Sequence, residues 1–167
     1  MTAVFERLPI RSQSPMLHSH LSPPHIEPER NVVFQMASII SKLEQDLRNL
    51  SLRKLDLTYA HFRVLQYLLE DDGRPIGEIA RATAVRPSVL SRVVDQMEER
   101  ELVRRQADTE DSRSTRVYLT DHGREKYALA WPTAHRLIQY ALEVLEPEEC
   151  EQLQALMKKI NQHVCPG

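Results

Sequence analysis

A chain of 167 residues with 41% apolar content can close one core, and none of its apolar runs approaches the ~20 residues a membrane span needs. A net charge of −2 removes bulk charge as a reason to expect nucleic acid. Phosphates respond to charges within a Debye length of roughly 8–10 Å, so the local arrangement of charge has to decide.

Residues 1–27 carry Pro9, Pro15, Pro23 and Pro24 among Ser12, Ser14, Ser19 and Ser22. That density of helix and ladder breakers predicts a flexible N-terminal arm, and His18, His20 and His25 within it read as solvated tail residues rather than a metal site. No apolar core of a signal peptide is present in it, so a cytoplasmic location is expected. A first helix is expected to start near Pro28 or Glu29. Val32, Val33, Met36, Ile39, Ile40, Leu43, Leu47 and Leu50 then recur at three- and four-residue steps. This stripe is too wide for a chain of this size to bury alone, so residues 28–56 are expected to pack partly on a second subunit.

Thr58 is the expected N-cap of the next helix, which buries Phe62, Leu65, Leu68 and Leu69 and stops at Asp71-Asp72-Gly73. Arg74-Pro75 reads as a break. A short helix over Ile76–Ala82 follows, then a turn at Thr83-Ala84-Val85, then a helix opened by Pro87 and running to about Arg100. Leu90, Val93, Val94 and Met97 form its apolar face, and Ser88, Ser91, Arg92 and Asp95 form its polar face. A short helix, a tight turn and an amphipathic helix make a helix-turn-helix. Residues 102–105 and 116–119 alternate as two strands around a polar loop, which adds a wing. Thr120 caps a long helix expected over 121–145 with a kink at Pro132, and Pro147 opens a last helix with Leu153, Leu156, Met157, Ile160 and Val164 on one stripe.

The predicted fold is therefore mainly α with a small β-ribbon: a winged helix-turn-helix head on a helical dimerisation region. The head spans residues 57–120, with a recognition helix over 87–100 and a wing over 102–119. Dimerisation helices lie on either side, the first in 28–56 and the last two in 121–167. Cys150 and Cys165 are expected to be free thiols, and no Cys/His cluster suggests zinc. There are four glycines, no phosphate-binding glycine loop and no nucleophile motif, so neither catalysis nor a cofactor is expected.

Asp111-Ser112-Arg113, then Leu119-Thr120 and Gly123, together with Leu57-Thr58, Phe62-Arg63-Val64-Leu65, Ile79-Ala80 and Leu90-Ser91-Arg92-Val93-Val94-Asp95, resemble the MarR family of bacterial transcriptional regulators. The resemblance covers residues 57–123, and the flanking helices match in length and order. It implies a homodimer in which the first and last helices of each chain interlock and two winged heads face one DNA duplex. One departure stands out: the family usually has glycine after the recognition helix, where this chain has Glu101. A positive φ there strains glutamate by ~1 kcal/mol or more, unless the turn is built differently. Some members sense peroxide through an early cysteine. Here the first is Cys150, among Glu148, Glu149 and Glu151, whose charges oppose thiolate formation.

Double-stranded DNA is the expected partner, met by Arg86, Ser88, Ser91 and Arg92 on the recognition helix. Arg113 is expected to enter the minor groove, with Asp111 orienting it, and Arg116 to reach backbone or serve as a plain strand residue. Residues 76–120 hold eight arginines and eight acids, so affinity has to come from which way each charge points. A small-molecule effector, anionic or aromatic, is expected between helices and head, near Arg30, Phe34, Tyr59, His61, Arg63, Trp131 and His135. The resulting reading is a dimeric repressor released from a palindromic operator by such an effector. The alternative is a winged-helix module that binds protein, against which the exposed serine-arginine face argues.

Overall fold

Asn31 sets the start of the first helix. Its backbone is extended (φ −92°, ψ 102°), and its side-chain oxygen accepts the Phe34 N–H at 3.1 Å, as an N-cap does. Helix α1 therefore runs Val32–Leu50, and Pro28–Arg30 is a separate 3-10 turn rather than the helix start expected there. The computed structural model describes residues 27–108 and 115–164. The arm, apart from Glu27, the wing residues Asp111 and Arg113, and Cys165 lie outside the described residues. The chain divides into two units between Gln35 and Met36. In the first, the Gln35 side chain donates to the Glu29 carbonyl at 2.6 Å, and Val32, Val33 and Phe34 are exposed.

The second unit continues with α2 (Tyr59–Glu70), β1 (Arg74–Pro75), α3 (Ile76–Ala82), α4 (Pro87–Glu99), β2 (Val103–Ala107), β3 (Thr115–Leu119), α5 (Asp121–Leu142) and α6 (Pro147–Val164). Thr58 caps α2 as expected, accepting the His61 N–H, and the His61 ring returns the favour to the Thr58 N–H. Thr120 caps α5 by accepting the Gly123 N–H. The core is built from fully buried Leu65 and Leu68 of α2, Ile79 of α3, Leu90, Val94 and Met97 of α4, and Val117 of β3. α5 passes through Pro132 and ends at Leu142, three residues earlier than expected. The Glu146 N–H bonded to the Glu149 carboxylate and Pro147 at the first helical position already begin α6.

Arg74-Pro75 is a strand, not merely a break. It pairs antiparallel with β3, Arg74 opposite Val117 and Pro75 opposite Arg116, so the sheet has three strands in the order β1-β3-β2. Two residues carry no alternation to read, and proline is tolerated because β1 is an edge. Gly73, at φ 73°, delivers the chain into it beneath Tyr118; a Cβ there would overlap that ring.

Two helices end alike. Beyond α4, the Leu102 N–H reaches the Met97 carbonyl and the Glu101 N–H the Glu98 carbonyl, both at 2.9 Å, with Glu101 at φ 56°. Beyond α3, Val85 and Ala84 bond to Ala80 and Arg81 in the same pattern, with Ala84 at φ 54°. Both are Schellman caps whose left-handed residue is glycine by default. The turn at Glu101 is thus built in the usual way and keeps its strain. Glu101→Gly is expected to raise the unfolding free energy by about 0.5–1 kcal/mol, the left-handed penalty less glycine's extra unfolded-state entropy. Thermal denaturation checks this; a lowered midpoint would show that the glutamate side chain earns its place.

Candidate nucleic-acid interface

Helix α4 stands on a turn whose last residue, Arg86, is extended (φ −60°, ψ 137°), with Pro87 at the first helical position. No side chain caps this N-terminus and no acid lies in its first turn, which leaves its N–H groups and positive dipole end available to an anion. Leu90, Val94 and Met97 bury one face. At 100° per residue, Ser88, Ser91, Arg92 and Asp95 fall on the opposite one. Arg86, Ser88 and Arg92 are exposed and Ser91 is half-buried. Val89, which sequence reading passed over, presents a half-exposed apolar surface beside Ser88.

The balanced charge of this region is sorted by pairing. Arg74 is held by Asp71 and Glu78, Arg100 by Asp56, Arg105 by Asp95 and Glu98, and Arg116 by Asp108. Among the described residues the side chains of Arg86 and Arg92 make no ion pair or hydrogen bond. Arg92 therefore stands open on the exposed polar face of α4 and Arg86 at its N-cap, with Arg81 of α3 also exposed and unpaired among the described residues, while the paired arginines serve the scaffold.

Arg116 anchors the wing. Its Nε donates to Asp108 at 2.6 Å and its Nη1 to the Gly73 carbonyl at 3.0 Å, tying β3 to the turn before β1. On the same face of the ribbon Arg104 lies over the Tyr118 ring, 4.4 Å from its centroid. Asp72 closes the base. One carboxylate oxygen accepts the N–H groups of Gly73 and Leu119, and the other pairs with Arg124 at 2.8 Å. α5 approaches the ribbon so closely that a Cβ on Gly123 would strike the Leu102 carbonyl.

The expected effector residues are placed differently from one another. Tyr59 and Arg63 line a cavity of about 500 Å³ together with Arg48, Arg53, Thr83 and Val85, and a neighbouring one of about 380 Å³ with Gln66, Tyr67 and Glu70. Arg48 and Arg53 carry cationic heads that sequence reading missed; their spacing in α1 and the following turn gave no signal. Trp131 lines a smaller cavity of about 120 Å³ with Tyr59, Leu43 and Ile138. It stands in a column of rings, Phe62–Tyr127–Trp131–His135, with centroids 5.3–5.8 Å apart. His135 is exposed at the end of that column and lines none of these three cavities. Arg30, exposed and paired with Glu27, and Phe34, also exposed, belong to the first unit.

His61 is buried in the core. Its Nδ1 accepts the Thr58 N–H at 3.3 Å and faces Arg100 Nη1 at 3.4 Å. Arginine only donates, so this ring is neutral with its proton on Nε2. Burial first, and then the Arg100 charge, push its pKa below the usual histidine value, with Gln96 and Asp56 opposing. The unfolded chain therefore binds a proton that the folded one refuses. Stability is full above about pH 6.5, the unfolded value, and falls as pH drops below it. His61→Gln keeps the capping acceptor without the titration, so its stability is expected to lose that slope between pH 7.5 and 5.5 in urea melts. Parallel slopes in both proteins would assign the effect to other groups.

The helix-turn-helix, three-stranded wing and long flanking helices match a MarR-family transcriptional regulator from Silicibacter pomeroyi with a TM-score of 0.78, at 30% identity over 87% of this chain and 98% of that one. The chain belongs to the MarR family. The family model itself, described as MarR family, matches residues 55–114, from the turn before α2 to the wing. The HTH-type transcriptional repressor IacR of Pseudomonas putida is 26% identical over 145 residues, 86% of each chain. Sco3205, a MarR-family regulator from Streptomyces coelicolor solved in complex with DNA, shares the fold at 23% identity and a TM-score of 0.74, over 87% of this chain and 94% of that one. As a member of this family the protein is a DNA-binding transcriptional regulator. Among the described residues no helix is long and apolar enough to cross a membrane.

Proposed function

We propose that this MarR-family regulator is a dimeric repressor that grips a palindromic operator and lets go when a small anionic or aromatic effector binds. The observation that carries the DNA-reading half is the N-terminal half of α4, where Arg86 at the cap and Arg92 on the polar face are unpaired beside Ser88 and Ser91 while Arg100, Arg105 and Arg116 are engaged. Arg92 forks onto a base edge or phosphate in the major groove, Arg86 and Ser88 meet the backbone, and Ser91 reaches phosphate or base. Arg113 enters the adjacent minor groove with Asp111 holding it, and Arg116 supports that reach by fixing the ribbon's stem.

The dimer follows from apolar surface left uncovered in one chain: Ile39 and Ile40 of α1, and Leu156, Ile160 and Val164 of α6. Two heads then face half-sites about 34–36 Å apart. The effector enters the cavity between α1, α2 and the turn before α4, where Arg53 and Arg63 pair with an anionic group, Arg48 stands beside them paired with Glu44, and Tyr59 meets a ring. Because that cavity is bounded by both the helical base and Thr83-Val85 of the head, an occupant that prefers another head spacing withdraws the protein from DNA.

Fluorescence anisotropy against the DNA upstream of the protein's own gene, with a scrambled duplex beside it, tests the reading. Tight binding to the first alone is expected, weakening steeply with salt by roughly 0.9 log units per log unit of salt for each phosphate contact. Aromatic acids and their CoA thioesters are then titrated for release. Equal, weak binding to both duplexes, repeated on duplexes selected from a random library, rejects it.

A further inference from the structure

We infer that Arg105 is the positioning residue that locks the wing to the recognition helix and so sets sequence discrimination; this rests on the DNA-reading function proposed above. In β2, Val103 and Arg105 point to the inner face and Arg104 and Gln106 to the outer one. An arginine at an inward position has to be answered, and α4 answers it four times. Nη1 donates to Asp95 Oδ1 and, at 3.4 Å, to Glu98 Oε2. Nη2 donates to the Ser91 carbonyl at 3.2 Å. The Arg105 backbone N–H, on the strand's open edge, donates to Glu98 Oε1 at 2.9 Å.

These bonds join residues 7, 10 and 14 apart in sequence, across the angle between helix and ribbon. A planar fork with fixed donors can hold two carboxylates and a carbonyl in one geometry, and an ammonium on a flexible stem cannot. The grip falls on the turn of α4 that carries Ser91 and Arg92, so it fixes where those side chains stand relative to the wing. It also neutralises Asp95, which shares the exposed face with Arg92 and would otherwise confront phosphate. Arg105 is only a quarter exposed and both of its terminal nitrogens are engaged by α4, so it acts through the helix and ribbon rather than on DNA.

Arg105→Lys tests this, because the charge survives and the fork does not. The probes are the duplex that wild-type protein enriches from a random-sequence library and a scrambled duplex of the same composition, each titrated from 50 to 200 mM salt well below the melting temperature. The variant is expected to lose about tenfold in the ratio of the two affinities, the worth of one misplaced base contact. Its salt slope stays that of the wild type, because no phosphate contact is lost. An unchanged ratio overturns the inference, even if the melting temperature falls, since the role is then structural alone. A salt slope reduced by about one with an unchanged ratio also overturns it, and makes Arg105 a phosphate contact. Wild-type protein that enriches no duplex removes the DNA-reading function, and this inference with it.

Discussion

Replacing Arg92 with alanine is expected to lower operator affinity about a hundredfold while leaving the melting temperature where it was. The side chain is exposed and makes no ion pair or hydrogen bond among the described residues, so the fold loses nothing with it. A bidentate arginine–base pair is worth about 1–3 kcal/mol of discrimination, and the two-fold dimer proposed above loses two of them. Ser91→Ala beside it is expected to cost less, since a hydroxyl makes one neutral hydrogen bond there. Anisotropy titrations, with calorimetry for the fold, separate the outcomes. Retained affinity in Arg92→Ala would remove the polar face of α4 from the reading of bases. A drop in melting temperature would instead assign Arg92 to the scaffold that Arg100, Arg105 and Arg116 already serve.

Leu156→Asp is expected to convert the protein to a monomer and to abolish operator binding. No residue of α6 is buried within one chain, and Leu156 is 59% exposed there, so the aspartate costs the lone protomer almost nothing. In a two-fold interface the same change places two unpaired carboxylates in apolar surroundings, at about 3–5 kcal/mol each. The dimer dissociation constant then rises at least about a thousandfold. A monomer holds one half-site and loses the linked second contact. Light scattering reads the oligomer and anisotropy the DNA. A variant that stays dimeric with unchanged affinity would move the interface away from α6.

How much of this was legible beforehand differs from element to element. Helices α2, α3 and α4 matched their expected positions closely because each carries its own marks: Thr58 as a cap, Gly73 beyond the end of α2, Pro87 at a first turn, and apolar residues at helical spacing. The strand Arg74–Pro75 carries no such mark, since its pairing with Val117 and Arg116 lies more than 40 residues away. The polar face of α4 was legible from the spacing of an amphipathic helix. Of the cations of the cavity Arg63 was named from the sequence, and Arg48 and Arg53 were not, because they converge on it from a different helix and a turn.

His61 shows the same division in one residue. As a histidine near a helix start with aromatic neighbours it reads as a ligand contact, whereas in the fold it is the buried capping partner of Thr58, facing Arg100. Glu101 shows the converse: its departure from glycine was visible in the sequence, and the fold keeps the left-handed turn regardless. The Met97–Leu102 cap and the Thr120 hydroxyl bonded to the Glu101 carbonyl outweigh about 1 kcal/mol of strain.

By itself the sequence determined the kinds and order of the helices, the β-ribbon, the polar face of α4 and the apolar surplus in α1 and α6. All of these rest on local periodicity and on caps, which act between residues a few positions apart. Only the tertiary structure decided which of the many arginines are engaged and which stand open. An ion pair depends on distance through space, and folding brought Arg105 to Asp95, Arg116 to Asp108 and Arg100 to Asp56 while leaving Arg86 open at the N-cap of α4 and Arg92 on its exposed face.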